Sequence, residues 1–172
     1  IFKIENPTHS FIRDYNISNG IYDRNGYMSF EIEFKDGNTF SKENLSSLQK
    51  ITSNAWSLPY SQRVDSMSNH NVASYENEDM LVKPLIPEEV ILTDIQASQI
   101  KKKVLNNLEI LNKSYFPETN ILSITVHFGL PNSLSEDKFY SLYNSLKSFE
   151  EEIKEKYPVN ITTSGSYYSD SL

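Results

Sequence analysis

Two eight-residue stretches constrain this chain more than anything else in it: "YMSFEIEF" at 27–34 and "ILSITVHF" at 121–128. In the first, Met28, Phe30, Ile32 and Phe34 alternate with Tyr27, Ser29, Glu31 and Glu33; in the second, Leu122, Ile124, Val126 and Phe128 alternate with Ser123, Thr125 and His127. Successive strand side chains point to opposite faces, so each stretch reads as a strand with one apolar face that has to be covered. The cover follows each strand in sequence. After the turn "KDGNTF", Ser41 reads as an N-cap with Glu43 in the first turn, and Leu45, Leu48, Thr52 and Ala55 recur at helical spacing to about Trp56, before Pro59 stops the helix. Ser135 reads as the cap of a longer helix with the strongest stripe in the chain: Phe139, Leu142, Tyr143, Leu146, Phe149 and Ile153, ended at Tyr157-Pro158.

Each helix hands over to a more polar strand, in an extended segment over 62–69 and in "VNITTSG" at 159–165. The two strands with strong apolar faces belong at the centre of a sheet and the polar two at its edges. Between the halves lie a loop rich in Asn, Ser, Glu and Asp, then "MLVKPLI", cut by Pro84. A further helix from Asp94 carries Ile100, Val104, Leu108 and Leu111 on one face. The order predicts an α+β fold: a ferredoxin-like split βαβ plait (βαββαβ) with an inserted helical segment over 70–118 and an N-terminal extension over 1–25, all within a single domain, 1–172. Phe30, Ile32, Phe34, Leu122, Ile124, Val126, Leu142, Leu146 and Phe149 should be buried together. Tyr27 and Gly165 should lie together at one end of the sheet, because the first strand of such a plait runs antiparallel beside the last.

Composition narrows the function classes. With 16 Lys and Arg against 23 Asp and Glu, the net charge of -7 argues against a nucleic-acid partner. Lys101, Lys102 and Lys103 read as the solvated face of a helix. Cysteine is absent, so neither a disulfide framework nor thiolate chemistry can operate. No apolar run approaches the ~20 residues that span a bilayer. The chain opens at Ile1 and closes on "SYYSDSL", which reads as a piece of something longer.

Catalytic and metal signals are thin. His9, His70 and His127 are far apart and none has a partner at ligand spacing, so no metal site is expected. His127 reads as a surface or second-layer histidine. Glu76, Glu78 and Asp79 form an acidic loop without a calcium-loop pattern. "TSGS" at 163–166 lacks the flanking glycines of a nucleophile elbow and reads as a turn, and no phosphate-cradling glycine loop exists. An acylphosphatase-type use of the plait needs an arginine in the loop after the first strand, where "KDGNTF" carries an aspartate instead. The residues point to no enzyme and no cofactor.

One longer stretch resembles a known family. "LQKITSNAWSLPYSQRVDSMSNHNVASYENEDMLVKPLI" looks like the segment that follows the first membrane helix in exporters of the RND superfamily, in the MMPL-type and patched-like branch of lipid exporters. The positions that carry the resemblance are Thr52, Trp56, Pro59, Tyr60, Arg63, Val64, Asp65, Ser66, Asn69, Asp79, Leu81 and Val82, and "YPVNITTSG" is similar to the family's run toward the second membrane helix. The resemblance covers roughly residues 26 to 166, and "IFKIENPTHSFIRDYNISNGIYDRNG" departs from it in being longer and richer in Asn.

The resemblance implies the first extracytoplasmic (periplasmic) domain of a proton-driven exporter in the cytoplasmic membrane. Such a domain helps form a passage for hydrophobic or lipid-like substrates. Its partners are the membrane helices and the second extracytoplasmic loop of the same transporter, and the proton-relay residues of the family lie in those helices. Taken one by one, the same residues have structural readings. Trp56 is expected as a core anchor at the helix end. Arg63 and Asp65 share a strand face as a surface pair, and Ser66, Ser68 and Asn69 form an edge and a turn. The reading from a different class is a soluble ligand-sensing or regulatory module on the same plait; a small hydrolase is the third.

Overall fold

The computed structural model describes residues 25–76, 79–87, 91–131 and 135–165. Strand β1 (Asn25–Phe34) leads to helix α1 (Lys42–Ala55) and strand β2 (Ser61–Asp65). A hairpin of β3 (Asn71–Glu76) and β4 (Asp79–Pro84) follows, then helix α2 (Asp94–Leu105) and the two-residue strand β5 (Tyr115–Phe116). Strand β6 (Ile121–Gly129), helix α3 (Glu136–Lys156) and strand β7 (Val159–Gly165) complete an α+β fold.

The main sheet runs β2, β6, β1, β7, and every neighbouring pair is antiparallel. The two alternating strands sit at its centre and the polar ones at its edges, as their side chains require. Met28 faces Val126, Phe30 faces Ile124 and Ile32 faces Leu122, so the apolar halves of β1 and β6 share one face. Helices α1 and α3 cover that face with Leu45, Leu48, Ile51, Ala55 and Leu142, Leu146, Phe149, Ile153. The nine core residues expected to be buried together all are, and the Phe149 ring meets Phe30 edge to face with centroids 5.0 Å apart. On the opposite face Tyr27, Ser29 and Glu31 lie beside His127, Thr125 and Ser123.

Strand β7 pairs along the other edge of β1, from Phe34 opposite Val159 to Met28 opposite Gly165. The fit at that end is close: a Cβ on Gly165 would come within 2.4 Å of the Tyr27 carbonyl oxygen. The chain therefore enters and leaves the sheet at the same end, the arrangement expected of Tyr27 and Gly165. Glu150 secures α3 to β7, taking Lys154 Nζ at 2.6 Å and the Thr163 hydroxyl at 3.1 Å. Burial pushes this carboxyl up, but the Lys154 and Thr163 hydrogen bonds and the charges of Lys154 and Lys147 outweigh it and hold the group below its ordinary value.

Local signals hold in part. Ser41 caps α1, accepting the Asn44 N–H at 3.1 Å. Ser135 occupies the same position before α3 but makes no side-chain cap bond. Trp56 is 49% exposed, which corrects its expected place in the core. The apolar stripe of α1 ends on Ala55, so the next position turns about 100° away from it, and Leu58 supplies the anchor instead.

The largest departure lies in the insertion. The polar run after residue 70 is strand β3, paired residue by residue with β4, where the sequence suggested a loop. The proline that argued against a strand is accommodated by ladder parity. The Leu85 N–H donates to His70 O at 2.7 Å, making 70–85 a hydrogen-bonded pair and the adjacent Asn71–Pro84 pair a non-bonded one, where a missing N–H removes nothing.

Helix α2 packs against α1 and buries Ala97, Ile100 and Val104, and ahead of it Gln49 Nε2 of α1 donates to Pro87 O at 2.6 Å. It ends earlier than its pattern suggests, and Leu108 is 84% exposed. The Asn106 and Asn107 side chains take the local backbone groups, Asn106 bonding Lys102 O at 2.9 Å and Asn107 accepting the Glu109 N–H at 2.9 Å. The insertion rejoins the main sheet through β5, which pairs with Ile121 and Leu122 on the edge of β6 that β2 also uses. Burial pushes the Tyr115 phenol of that strand above its ordinary value.

Candidate functional site

The turn from α1 into β2 decides which residues reach the surface. Leu58 and Val64 are drawn into the core, and strand alternation then turns Arg63 and Asp65 outward. The β2–β6 register sets Arg63 opposite His127 and Asp65 opposite Thr125, on the polar face of the sheet. The Asp65 carboxylate is shared: Oδ1 accepts Arg63 Nε at 2.7 Å and Oδ2 lies 3.0 Å from His127 Nε2. The surface pair expected of Arg63 and Asp65 is present, and His127 joins it.

A cleft of about 730 Å³ opens beside this group. Its other wall comes from the hairpin base and the segment after α2: His70, Asn71, Glu109, Lys113 and Ser114. His70 Nε2 stands 3.6 Å from Glu109 Oε2 and 3.5 Å from Asn107 Nδ2. The cleft is thus lined by side chains of both charges in contact with water, where each ion pair contributes little to stability.

Beneath the cleft lies a knot of buried hydroxyls. Thr52 Oγ1 donates to Leu48 O at 2.8 Å and lies 2.9 Å from Ser66 Oγ, Ser66 Oγ lies 2.7 Å from Ser68 Oγ, and Ser68 Oγ donates back to Thr52 at 2.9 Å. The Ser68 N–H donates to Ser66 Oγ at 3.1 Å. Asn69 closes the turn, accepting the Ser66 N–H and donating to Val64 O at 2.7 Å. These bonds satisfy the polar groups that the end of β2 carries into the interior.

No family model matches this chain, and no curated protein or solved structure matches it either. Its own geometry is therefore the guide. Arg63, Val64, Asp65, Ser66 and Asn69 all line the cleft, and Thr52 bonds to its floor. The other positions singled out by sequence lie elsewhere. Pro59 lines a second groove, of about 710 Å³, between the turn after α1 and residues such as Tyr140 and Asn144 of α3. Trp56 caps α1, Tyr60 turns the chain with a φ of 63°, and Asp79 stands on the exposed hairpin.

His127, His70, Glu109 and Lys113 are cleft residues that sequence reasoning did not join to Arg63 and Asp65. For His127 a signal existed, since the strand order expected from the sequence sets the strand bearing it beside the strand bearing Asp65, as β6 and β2 are in the sheet. For the others none did, because the fold of the insertion brings them there. Among the described residues, no three His, Asp or Glu side chains converge so as to hold a metal ion, and no hydroxyl completes a hydrogen-bonded relay through His127. Also among the described residues, no helix is long and apolar enough to cross a membrane.

Proposed function

We propose that this chain is the first extracytoplasmic loop domain of a proton-driven RND-type exporter of the MMPL and patched-like branch, built on a ferredoxin-like split βαβ plait with an insertion between its halves. The plait reading is supported by the order β2, β6, β1, β7, with α1 crossing from β1 to β2 and α3 from β6 to β7. The observation that carries the functional reading is the pairing of Met28 with Gly165, which brings entry and exit to one end of the sheet. A domain held between two membrane helices needs that, since both ends must return to one bilayer surface. In this role the domain performs no chemistry and takes no cofactor. It walls part of a passage for hydrophobic or lipid-like molecules and shifts as a rigid body while membrane helices exchange protons. Its partners are those helices and the companion extracytoplasmic loop.

The test uses the product of the intact gene. In fractionated cells the domain should be recovered with the membrane and be cut by protease added from outside. The full-length protein in liposomes should move a fluorescent amphiphile only when a proton gradient is imposed. Gradient-independent behaviour with every amphiphile tried would overturn the exporter assignment.

The polar cleft of Arg63, Asp65 and His127 favours a second reading, a soluble ligand-sensing or regulatory module. Recovery of the intact product free of membranes would select it.

A further inference from the structure

The hairpin of β3 and β4 is a sheet of two strands, which on its own is marginal in water. Strand β4 has β3 on one edge and, among the described residues, no strand on the other. Ladder parity decides what that open edge offers. Because 70–85 is a hydrogen-bonded pair, so are 72–83 and 74–81. The alternate residues Met80 and Val82 therefore turn their N–H and C=O groups away from β3. Their side chains are 61% and 59% exposed, and Tyr75, paired with Met80, is 78% exposed. Natural edge strands are blunted by charges or prolines; β4 carries Asp79, Lys83 and Pro84, but they stand at its two ends and leave Met80, Leu81 and Val82 as an uncharged centre.

The charges flanking this run are opposite and equidistant from Leu81: Asp79 two residues before it and Lys83 two residues after. We propose that β4 pairs antiparallel with β4 of a second copy of this chain, centred on Leu81, with Asp79 of each copy opposite Lys83 of the other.

Three neighbouring registers have the right parity, and only one satisfies every group. Centred on Leu81, Met80 of one copy exchanges both backbone hydrogen bonds with Val82 of the other, and the symmetric pair does the same. The two Leu81 residues then face each other across the two-fold axis, with an Asp-Lys pair at each end. Centred on Val82, Met80 would face Pro84, which has no N–H to give. Centred on Met80, Asp79 would face Leu81, leaving its charge without a partner across the seam. A parallel pairing would set like charges level. The favoured seam also brings Met80 of each copy against Val82 of the other, covering part of the apolar surface exposed in the single copy. This inference does not rest on the exporter reading.

Because the chain has no cysteine, a single one placed at the seam reports the register. In a non-hydrogen-bonded antiparallel pair the facing Cα atoms are about 4.5 Å apart, within disulfide reach. In the whole 172-residue chain, Leu81→Cys should give a covalent dimer under mild oxidation. Val82→Cys, whose partner is Met80, should crosslink far more slowly. Sedimentation should show a concentration-dependent dimer for the unmodified chain. Lys83→Asp, which sets like charges together at both ends, should weaken the dimer roughly tenfold. The exchanged variant D79K/K83D should return it to within about twofold, a recovery that also shows the hairpin still folds. The proposal is overturned by a monomer at every concentration. Equal crosslinking at positions 81 and 82, or an exchanged variant no better than Lys83→Asp, overturns it too.

Discussion

Thr52→Val keeps the volume and branching of the side chain and removes only its hydroxyl, so its cost can be worked out by following protons. The knot holds three hydroxyls and one backbone N–H. Thr52 uses its proton on Leu48 O and accepts from Ser68, while Ser66 accepts the Ser68 N–H and gives its own proton within the trio. Each hydroxyl has one proton to place and two lone pairs to accept with. With Thr52 replaced by Val, Ser66 and Ser68 can satisfy one proton between them, and the second is stranded in a site where both residues are 2% exposed.

A stranded buried donor costs about 1–3 kcal/mol. Ser68→Ala removes a larger fraction of its side chain, yet strands nothing: Ser66 can donate to Thr52, and Thr52 keeps Leu48 O. Its cost should be about 0.5–1.5 kcal/mol, the value of one ordinary hydrogen bond. Urea unfolding followed by fluorescence of Trp56 or by circular dichroism measures both. With a slope of about 2 kcal/mol per molar, Thr52→Val should lower the midpoint by roughly 1 M and Ser68→Ala by about half as much. Equal midpoints for the two variants, or a smaller loss in Thr52→Val, would refute the proton count and mean that the stranded hydroxyl finds another partner.

Two further outcomes follow from the packing and the charges. Phe149→Ala removes the ring set edge to face on Phe30 and should cost about 3–5 kcal/mol, read as the loss of urea midpoint, whereas Tyr143→Ala on the exposed flank of α3 should cost much less. For Glu150, the folded carboxyl ionises below its ordinary value, so its contribution is present above the unfolded-state pKa and is lost as pH falls through the folded one. Glu150→Gln should therefore be less stable than the parent near pH 7 and converge on it as pH falls below the folded-state pKa of Glu150; a gap unchanged throughout the acid range would mean that the Lys154 and Thr163 bonds do not act through charge.

What the sequence determined by itself is what alternation and short-range capping determine. The faces of β1 and β6, the stripe of α3, the cap at Ser41 and the polar edges at β2 and β7 each follow from the spacing of neighbours a few residues apart, and they suffice to say which surfaces must meet. Tertiary structure decided the rest. Trp56 looked like an anchor because large aromatics are usually buried, but its angular position one step past Ala55 put it outside. The hairpin could not be read from "NVASYE", where Val72 and Tyr75 favour a strand but Asn71, Ala73 and Glu76 do not, nor from "DMLVKP", whose proline is harmless only in the parity that pairing with β3 sets.

The cleft is legible by halves for the same reason. Arg63 and Asp65 stand two apart on one strand, so their pairing is local. His127 is 62 residues from Asp65, and His70, Glu109 and Lys113 arrive through the fold of the insertion; only strand order and chain path bring them within reach. Contacts of that range depend on register, and a shift of one residue in β2 against β6 would turn Asp65 into the core and leave His127 without it.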